Sequence, residues 1–150
     1  MKKFALLFLL IIFSSCQDEE KELTADAIID KTIEKAGGER YKKARVEFTF
    51  RDRTYTSHRD NGLYEFTRTF KDSLGEVKDV LNNEGLKRYR EGKEMKISDS
   101  LAGLYAESVN SVHYFVQLPY GLNDAAVQKE LVGQDTISGR PYYEIRVTFK

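Results

Sequence analysis

The chain has 150 residues with 24 basic and 24 acidic side chains, so its formal net charge is zero. A chain with no basic excess lacks the global positive field that holds nucleic acid, and we expect no nucleic-acid partner. The length fits one domain, and a single cysteine excludes an internal disulfide. The core must therefore come from apolar burial, with nine Tyr and nine Phe supplying most of the large side chains.

The first fifteen residues have the order of a secretory signal peptide. Lys2 and Lys3 precede an apolar run from Phe4 to Phe13, and two serines follow. A helix that crosses a bilayer needs about 20 apolar residues, so this run is too short for a permanent anchor. Residues 1–15 are therefore predicted to be a signal peptide, and their removal leaves a net charge of −2.

Cys16 stands directly after Ser14 and Ser15, and this junction resembles the lipobox of bacterial lipoproteins. The resemblance implies that Cys16 is lipidated and becomes the first residue of the mature protein. The alternative is a free thiol beside an ordinary cleavage site, which an oxidising compartment disfavours. We therefore expect an outer-membrane lipoprotein of the cell envelope, facing the periplasm or the cell surface, with its lipid in the membrane.

Residues 16–23 are mostly charged and have no apolar period, which predicts a lipidated acidic tether. The run from Gln17 to Glu20 resembles the export signal that sends some lipoproteins to the outer face of the outer membrane. A solvated linker accounts for the same residues equally well.

The first element of the domain is predicted to be an amphipathic helix. Apolar residues recur at helical spacing from Thr24 to Ala36, with Thr24 as the N-cap and Gly37-Gly38 as the stop. The period then changes to two, and Val46, Phe48 and Phe50 alternate with polar residues. We interpret residues 45–58 as one strand.

Hairpin turns divide the following residues into a predicted antiparallel meander. Asp60-Asn61-Gly62 is a strong turn, because Asn-Gly tolerates positive φ angles. Further strands are predicted at residues 63–70, 76–82, 86–90 and 94–97. A helix is predicted over residues 101–117 with Ser100 as its cap, then a loop over residues 118–124, and two closing strands over residues 127–137 and 142–150.

These elements predict a single α+β domain over residues 24–150. Its centre is a curved antiparallel sheet like half of a barrel, with an N-terminal helix and an inserted helix on the concave face. Because Val147 and Phe149 still alternate at the last residues, we expect more sheet to follow and the domain to be truncated at its C-terminus.

The sequence contains no strong catalytic or metal-binding motif. His58 and His113 lie in different elements without companions at ligand spacing, and Ser108, Ser111 and His113 do not share one helix face. The basic runs Arg51–Arg53 and Lys87–Arg90 are interpreted as a solvated outer sheet face, with an anionic headgroup site as the alternative. We expect no metal, no cofactor and no enzymatic activity.

Several runs resemble a family of uncharacterised lipoproteins from gliding-type Gram-negative bacteria. The matching runs are Asn110–Phe115, Leu118–Asp124 with Ala126-Val127, Phe50–Arg53 with Tyr55, Asp79–Gly85 and Gly139–Tyr143. The resemblance implies no established activity. More distantly, a helix followed by a curved sheet resembles the half-barrel of the lipoprotein-localisation (Lol) carriers, which hold acyl chains against the concave face.

The leading hypothesis is a tethered protein that binds a lipid or another hydrophobic ligand. The proposed lining residues are the aromatic side chains of the sheet face, Phe48, Phe50, Tyr64, Phe66 and Phe70, with Tyr114 and Phe115 of the inserted helix as a lid. The same side chains could be ordinary core. The alternative functions are a protein-interaction module of an envelope complex and, third, an enzyme acting on an envelope lipid or glycan.

Overall fold

The protein is described by a computed structural model, which covers residues 23–150. Its elements are α1 (Ala25–Ala36), β1 (Arg45–Phe50), β2 (Arg53–Asp60), β3 (Leu63–Asp72), β4 (Gly75–Asn82), β5 (Gly85–Arg90), β6 (Lys93–Glu94), α2 (Asp99–Val116), β7 (Val127–Ile137) and β8 (Arg140–Phe149). The predicted signal peptide, Cys16 and nearly all of the tether lie outside the described residues.

The predicted fold class is confirmed. Strands β1 to β6 form one curved, open antiparallel sheet in chain order, and β7 pairs with β8 as a separate hairpin. Helix α2 packs on the concave face of the large sheet, against β3, β4 and β5, while α1 contacts β7 and a short 3-10 turn at Tyr120–Asn123. No helix within residues 23–150 has the length and apolar character needed to span a membrane.

The ends of the helices follow from capping. Thr24 accepts a hydrogen bond from the Ala27 amide at 3.1 Å, and the Gly37 amide donates to the Ile33 carbonyl, so both predicted ends of α1 are confirmed. The cap of α2 is Ser98, which accepts from Leu101, and the prediction of Ser100 was wrong. The predicted start was too late because the first turn of α2 is polar. The apolar residues at helical spacing begin only at Leu101.

The single strand predicted over residues 45–58 is two strands. Arg51 and Asp52 have φ angles of 50° and 58°, and the chain reverses there. Neither residue is the Asn or Gly that marks such turns, which hid the hairpin. The sequence does contain a signal of the turn, which is a change in the phase of the alternation. In one continuous strand even and odd positions lie on opposite faces, yet Phe48 pairs with Tyr55 on the same face.

The remaining turns fall where they were predicted, and the register follows from them. The last sheet strand is shorter than predicted and covers only Lys93–Glu94. One row of directly paired residues crosses five strands on the face beneath α2: Phe48, Tyr55, Arg68, Asp79 and Arg88. The neighbouring row contributes Phe66 and Leu81, which pack with the fully buried Val109 of α2 as the hydrophobic core.

Candidate functional site

A charged cluster lies buried between the sheet and α2. Asp79 is fully buried, and its Oδ2 accepts hydrogen bonds from Nε and Nη2 of Arg68 at 2.9 and 2.7 Å. Arg88 approaches the same carboxylate, with 2.6 Å between its Nε and Oδ1. The remaining Arg68 nitrogen, Nη1, donates to Ser108 of α2 at 2.8 Å, which ties the helix to the sheet. Both oxygens of Asp79 and all three guanidinium nitrogens of Arg68 are hydrogen-bonded within the fold, which indicates a structural role.

This geometry corrects one prediction about the basic runs. Arg88 lies on the inner face, with its guanidinium 3.4 Å from the centre of the Tyr105 ring, so the interpretation of Lys87–Arg90 as a solvated outer face was wrong for it. Arg90 forms two hydrogen bonds to Asp72, and these lower the pKa of the Asp72 carboxyl to about 2. The alternation of strand β5 places Arg88 and Arg90 on the same face and Lys87 on the opposite one.

His113 of α2 is enclosed by aromatic rings. The Phe66 ring stacks on its imidazole at a centroid distance of 4.5 Å, and Phe48 and Tyr55 meet it edge-on at 5.6 Å. Its Nε2 lies 3.1 Å from the Thr67 carbonyl oxygen, so this nitrogen carries the proton and donates. Nδ1 has no hydrogen-bond partner among the described residues. The ring is therefore held as a neutral imidazole inside the core.

Acidification is expected to destabilise the fold through His113. Burial lowers the pKa of its imidazole below the ordinary 6.5, and the nearby Arg59 charge acts in the same direction. Below pH 6.5 the imidazole of His113 is protonated in the unfolded chain but stays neutral in the folded chain. The free energy of unfolding is therefore highest above pH 6.5 and falls as the pH drops below that value. Urea unfolding between pH 7.5 and 5.5 measures this loss. In His113→Phe the histidine contribution should vanish, and an unchanged slope would contradict the assignment.

A first apolar groove runs between the edge of the large sheet and α2. It has a volume of about 210 Å³ and is lined by Phe50, Ser111, Val112, Phe115 and Val116. Phe50 and Val116 are each a little under half exposed, and Phe115 is 70% exposed. These side chains adjoin one another, and contiguous exposed apolar patches are typical of binding surfaces.

A second groove, of about 410 Å³, lies on the other side of Phe115. Its walls come from α2, from the loop before β7 and from the end of β8, and they include Tyr114, Phe115, Val127 and Phe149. The Tyr114 ring meets those of Phe115 and Phe149 edge-on, at centroid distances of 6.0 and 5.9 Å. Ser111 and Phe115 line both grooves, so the two form neighbouring parts of one apolar surface.

The seven aromatic residues proposed from the sequence separate into two groups. Phe50, Tyr114 and Phe115 line the grooves. The other four pack against side chains of the protein, Phe66 buried and the rest half-buried: Phe48 and Phe66 against His113, Tyr64 against Phe66, and Phe70 beneath the guanidinium groups of Arg53 and Arg68. The concave face near its centre is thus filled by α2, and the two apolar grooves lie at its edge beside Phe115.

The sequence analysis did not single out a polar chamber of about 150 Å³ at the end of α2. Its lining includes Arg59 of β2, Gln117 at the end of α2, and Tyr120 and Asp124 of the following segment. Arg59 Nε donates to Gln117 Oε1 at 3.0 Å. These residues are far apart in sequence and match no motif, so only their meeting in the fold reveals them.

Other candidate chemistry of α2 does not assemble. Ser108 is engaged by Arg68, Ser111 donates to the Ser108 carbonyl, and His113 faces the sheet. These three side chains form no nucleophile and base pair. Within residues 23–150, no three His, Cys, Asp or Glu side chains are grouped as metal ligands.

An open antiparallel half-barrel with a helix on its concave face and an apolar surface at its edge defines an α+β protein. The chain belongs to DUF6503, a family of unknown function whose model matches residues 2–150. No curated protein and no solved structure gives a match. The match confirms that the family is uncharacterised, and the resemblances to lipoproteins and to the Lol carriers stay predictions.

Proposed function

We propose that this protein is a lipid-anchored envelope protein that binds an acyl chain or a similar hydrophobic ligand without chemical conversion. Cys16 carries the anchor in this proposal, and the acidic tether holds the domain at the surface of the outer membrane. The observation that carries the binding function is the pair of apolar grooves that meet at Phe115. Binding sites for small apolar ligands are concave, largely apolar and of about 300–1,000 Å³, and the larger groove falls within that range.

The composition of the grooves favours an alkyl chain over a polar ligand. Phe115, Phe149 and Val127 offer carbon surface, and burial of such surface contributes about 25 cal/mol per Å². Both grooves are open along one side, so a long chain can enter from the surface without unfolding of α2. The larger groove is also lined by the polar residues Glu107, Asn110 and Asp124. Their side chains can contact a polar end of the ligand.

A hydrophobic fluorophore tests this function. The full chain with Cys16→Ala removes the anchoring thiol, and titration with N-phenyl-1-naphthylamine should give saturable fluorescence. In the same background Phe115→Ser should weaken binding by about tenfold or more, because it removes a large apolar wall shared by both grooves. The measurement is the dissociation constant from the titration.

Leu104→Ser is the matched control. Leu104 is also on α2 and is 60% exposed, but it lines neither groove. This variant keeps residues 1–22 and should bind the fluorophore as the parent does. Equal binding by both serine variants would refute the groove as the site. Absence of saturable uptake in the parent would favour the alternative, a protein-interaction module.

A further inference from the structure

The polar chamber at the end of α2 holds hydrogen-bond donors without partners. Gln117 is only 4% exposed, and its amide oxygen accepts from Arg59 Nε. An arginine can only donate, so that bond identifies Oε1 as the oxygen of the amide, and the amide nitrogen is a donor on a side chain that lines the chamber. Nε2 has no partner among the described residues. A buried unsatisfied donor destabilises the fold, which favours an acceptor in the chamber.

Arg59 supplies the charge of the chamber. Its guanidinium lies between the Phe66 and Tyr120 rings, at 4.8 and 5.1 Å from their centres, so it is held in one orientation. Only Nε is used, and within residues 23–150 no carboxylate lies within 4.0 Å of this side chain. An oriented guanidinium with two free amino groups matches the geometry of a carboxylate.

The other polar groups limit the charge of the occupant. Asp124 lines the same chamber but is an exposed residue, so it lies toward the solvent side. One negative charge on the ligand is favoured beside Arg59, and a second one near Asp124 is repelled. Asn110, Tyr114 and Tyr120 complete the polar lining, and the Tyr114 hydroxyl already donates to the Gly121 carbonyl at 3.4 Å.

The chamber lies next to the larger apolar groove. Asn110, Tyr114 and Asp124 line both spaces. A ligand with a polar end in the chamber would therefore extend its apolar part along Phe115 and Phe149. We propose that the chamber binds the carboxylate head of a singly charged amphiphile, with Arg59 and Gln117 as donors, while the alkyl chain occupies the groove. This inference rests on the proposed function and names its ligand class.

Head-group selectivity tests this inference. Dodecanoate and 1-dodecanol have the same chain and differ in charge, and each can be titrated calorimetrically into the full chain with Cys16→Ala. Dodecanoate should bind about tenfold more tightly or better, because a charge-assisted bond to Arg59 is stronger than a neutral one. Arg59→Gln should remove that preference by lowering dodecanoate affinity about tenfold, with a much smaller effect on dodecanol. Asp124→Asn should tighten dodecanoate by several-fold, because it removes the repelling charge.

Three outcomes would overturn the inference, and they differ in what they say about the groove. If both ligands bind equally and Arg59→Gln has no effect, the chamber holds water only. The proposed apolar binding function then survives. Binding of neither ligand means that both fail. Thermal unfolding establishes whether each variant is folded. If Arg59→Gln does not fold, the test rests on Asp124→Asn, which alters only an exposed side chain. Unchanged selectivity for dodecanoate in that variant would contradict the proposal.

Discussion

Replacing Asp79 by Asn is expected to lower the free energy of unfolding by about 3–5 kcal/mol. The substitution keeps the shape of the side chain and removes its charge, which leaves the guanidinium groups of Arg68 and Arg88 facing each other without an anion. Arg68 is buried to the same degree as the core, with 3% of its surface exposed. Water cannot replace the lost carboxylate there, so the penalty is close to that of an unpaired buried charge.

Asp72→Asn is the matched control for this prediction. Asp72 also accepts two hydrogen bonds from an arginine, but the pair lies at the surface of the same sheet. Exposed pairs contribute little, because solvent screens them. Urea unfolding of the three proteins at pH 7 measures the difference. Similar losses in both variants would contradict a special role for the buried cluster.

Phe66→Ala is expected to cost about 3–5 kcal/mol of stability, the usual range for deleting a buried aromatic side chain. Phe66 is 3% exposed, packs with Leu81 and Val109, and stacks on His113, so its removal opens a cavity at the centre of the core. Phe115→Ala should instead leave the free energy of unfolding almost unchanged, because that side chain is already 70% exposed.

The pair of variants separates the two interpretations of the aromatic residues. If Phe66 is core and Phe115 is a binding residue, the first variant loses stability and the second loses affinity for the hydrophobic fluorophore. Denaturant unfolding and fluorophore titration of the same preparations give both quantities. A strong loss of stability in Phe115→Ala, or full stability in Phe66→Ala, would reverse the division of roles.

The buried charged cluster could have been derived from the sequence. Two-residue turns at Ser73-Leu74 and at Asn83-Glu84 fix the register of three strands, and that register places Asp79 between Arg68 and Arg88. In the sequence analysis Asp79 was not connected with either arginine. The same reasoning fails at β1, because the Arg51-Asp52 turn has no glycine or asparagine to mark it.

The sequence by itself determined the local structure, meaning the ends of α1, most hairpin turns and the alternation of the strands. Each of these depends on side chains within a few residues of one another, which is why capping and periodicity predict them. Only the tertiary structure decided which aromatic residues are core and which remain open. That distinction depends on where α2 lies on the sheet. The helix covers Phe66 of the sheet, whereas Phe115, a residue of the helix itself, stays exposed. The pairing of Arg59 with Gln117, 58 residues apart, likewise exists only after α2 docks, because no local pattern encodes a contact over that separation.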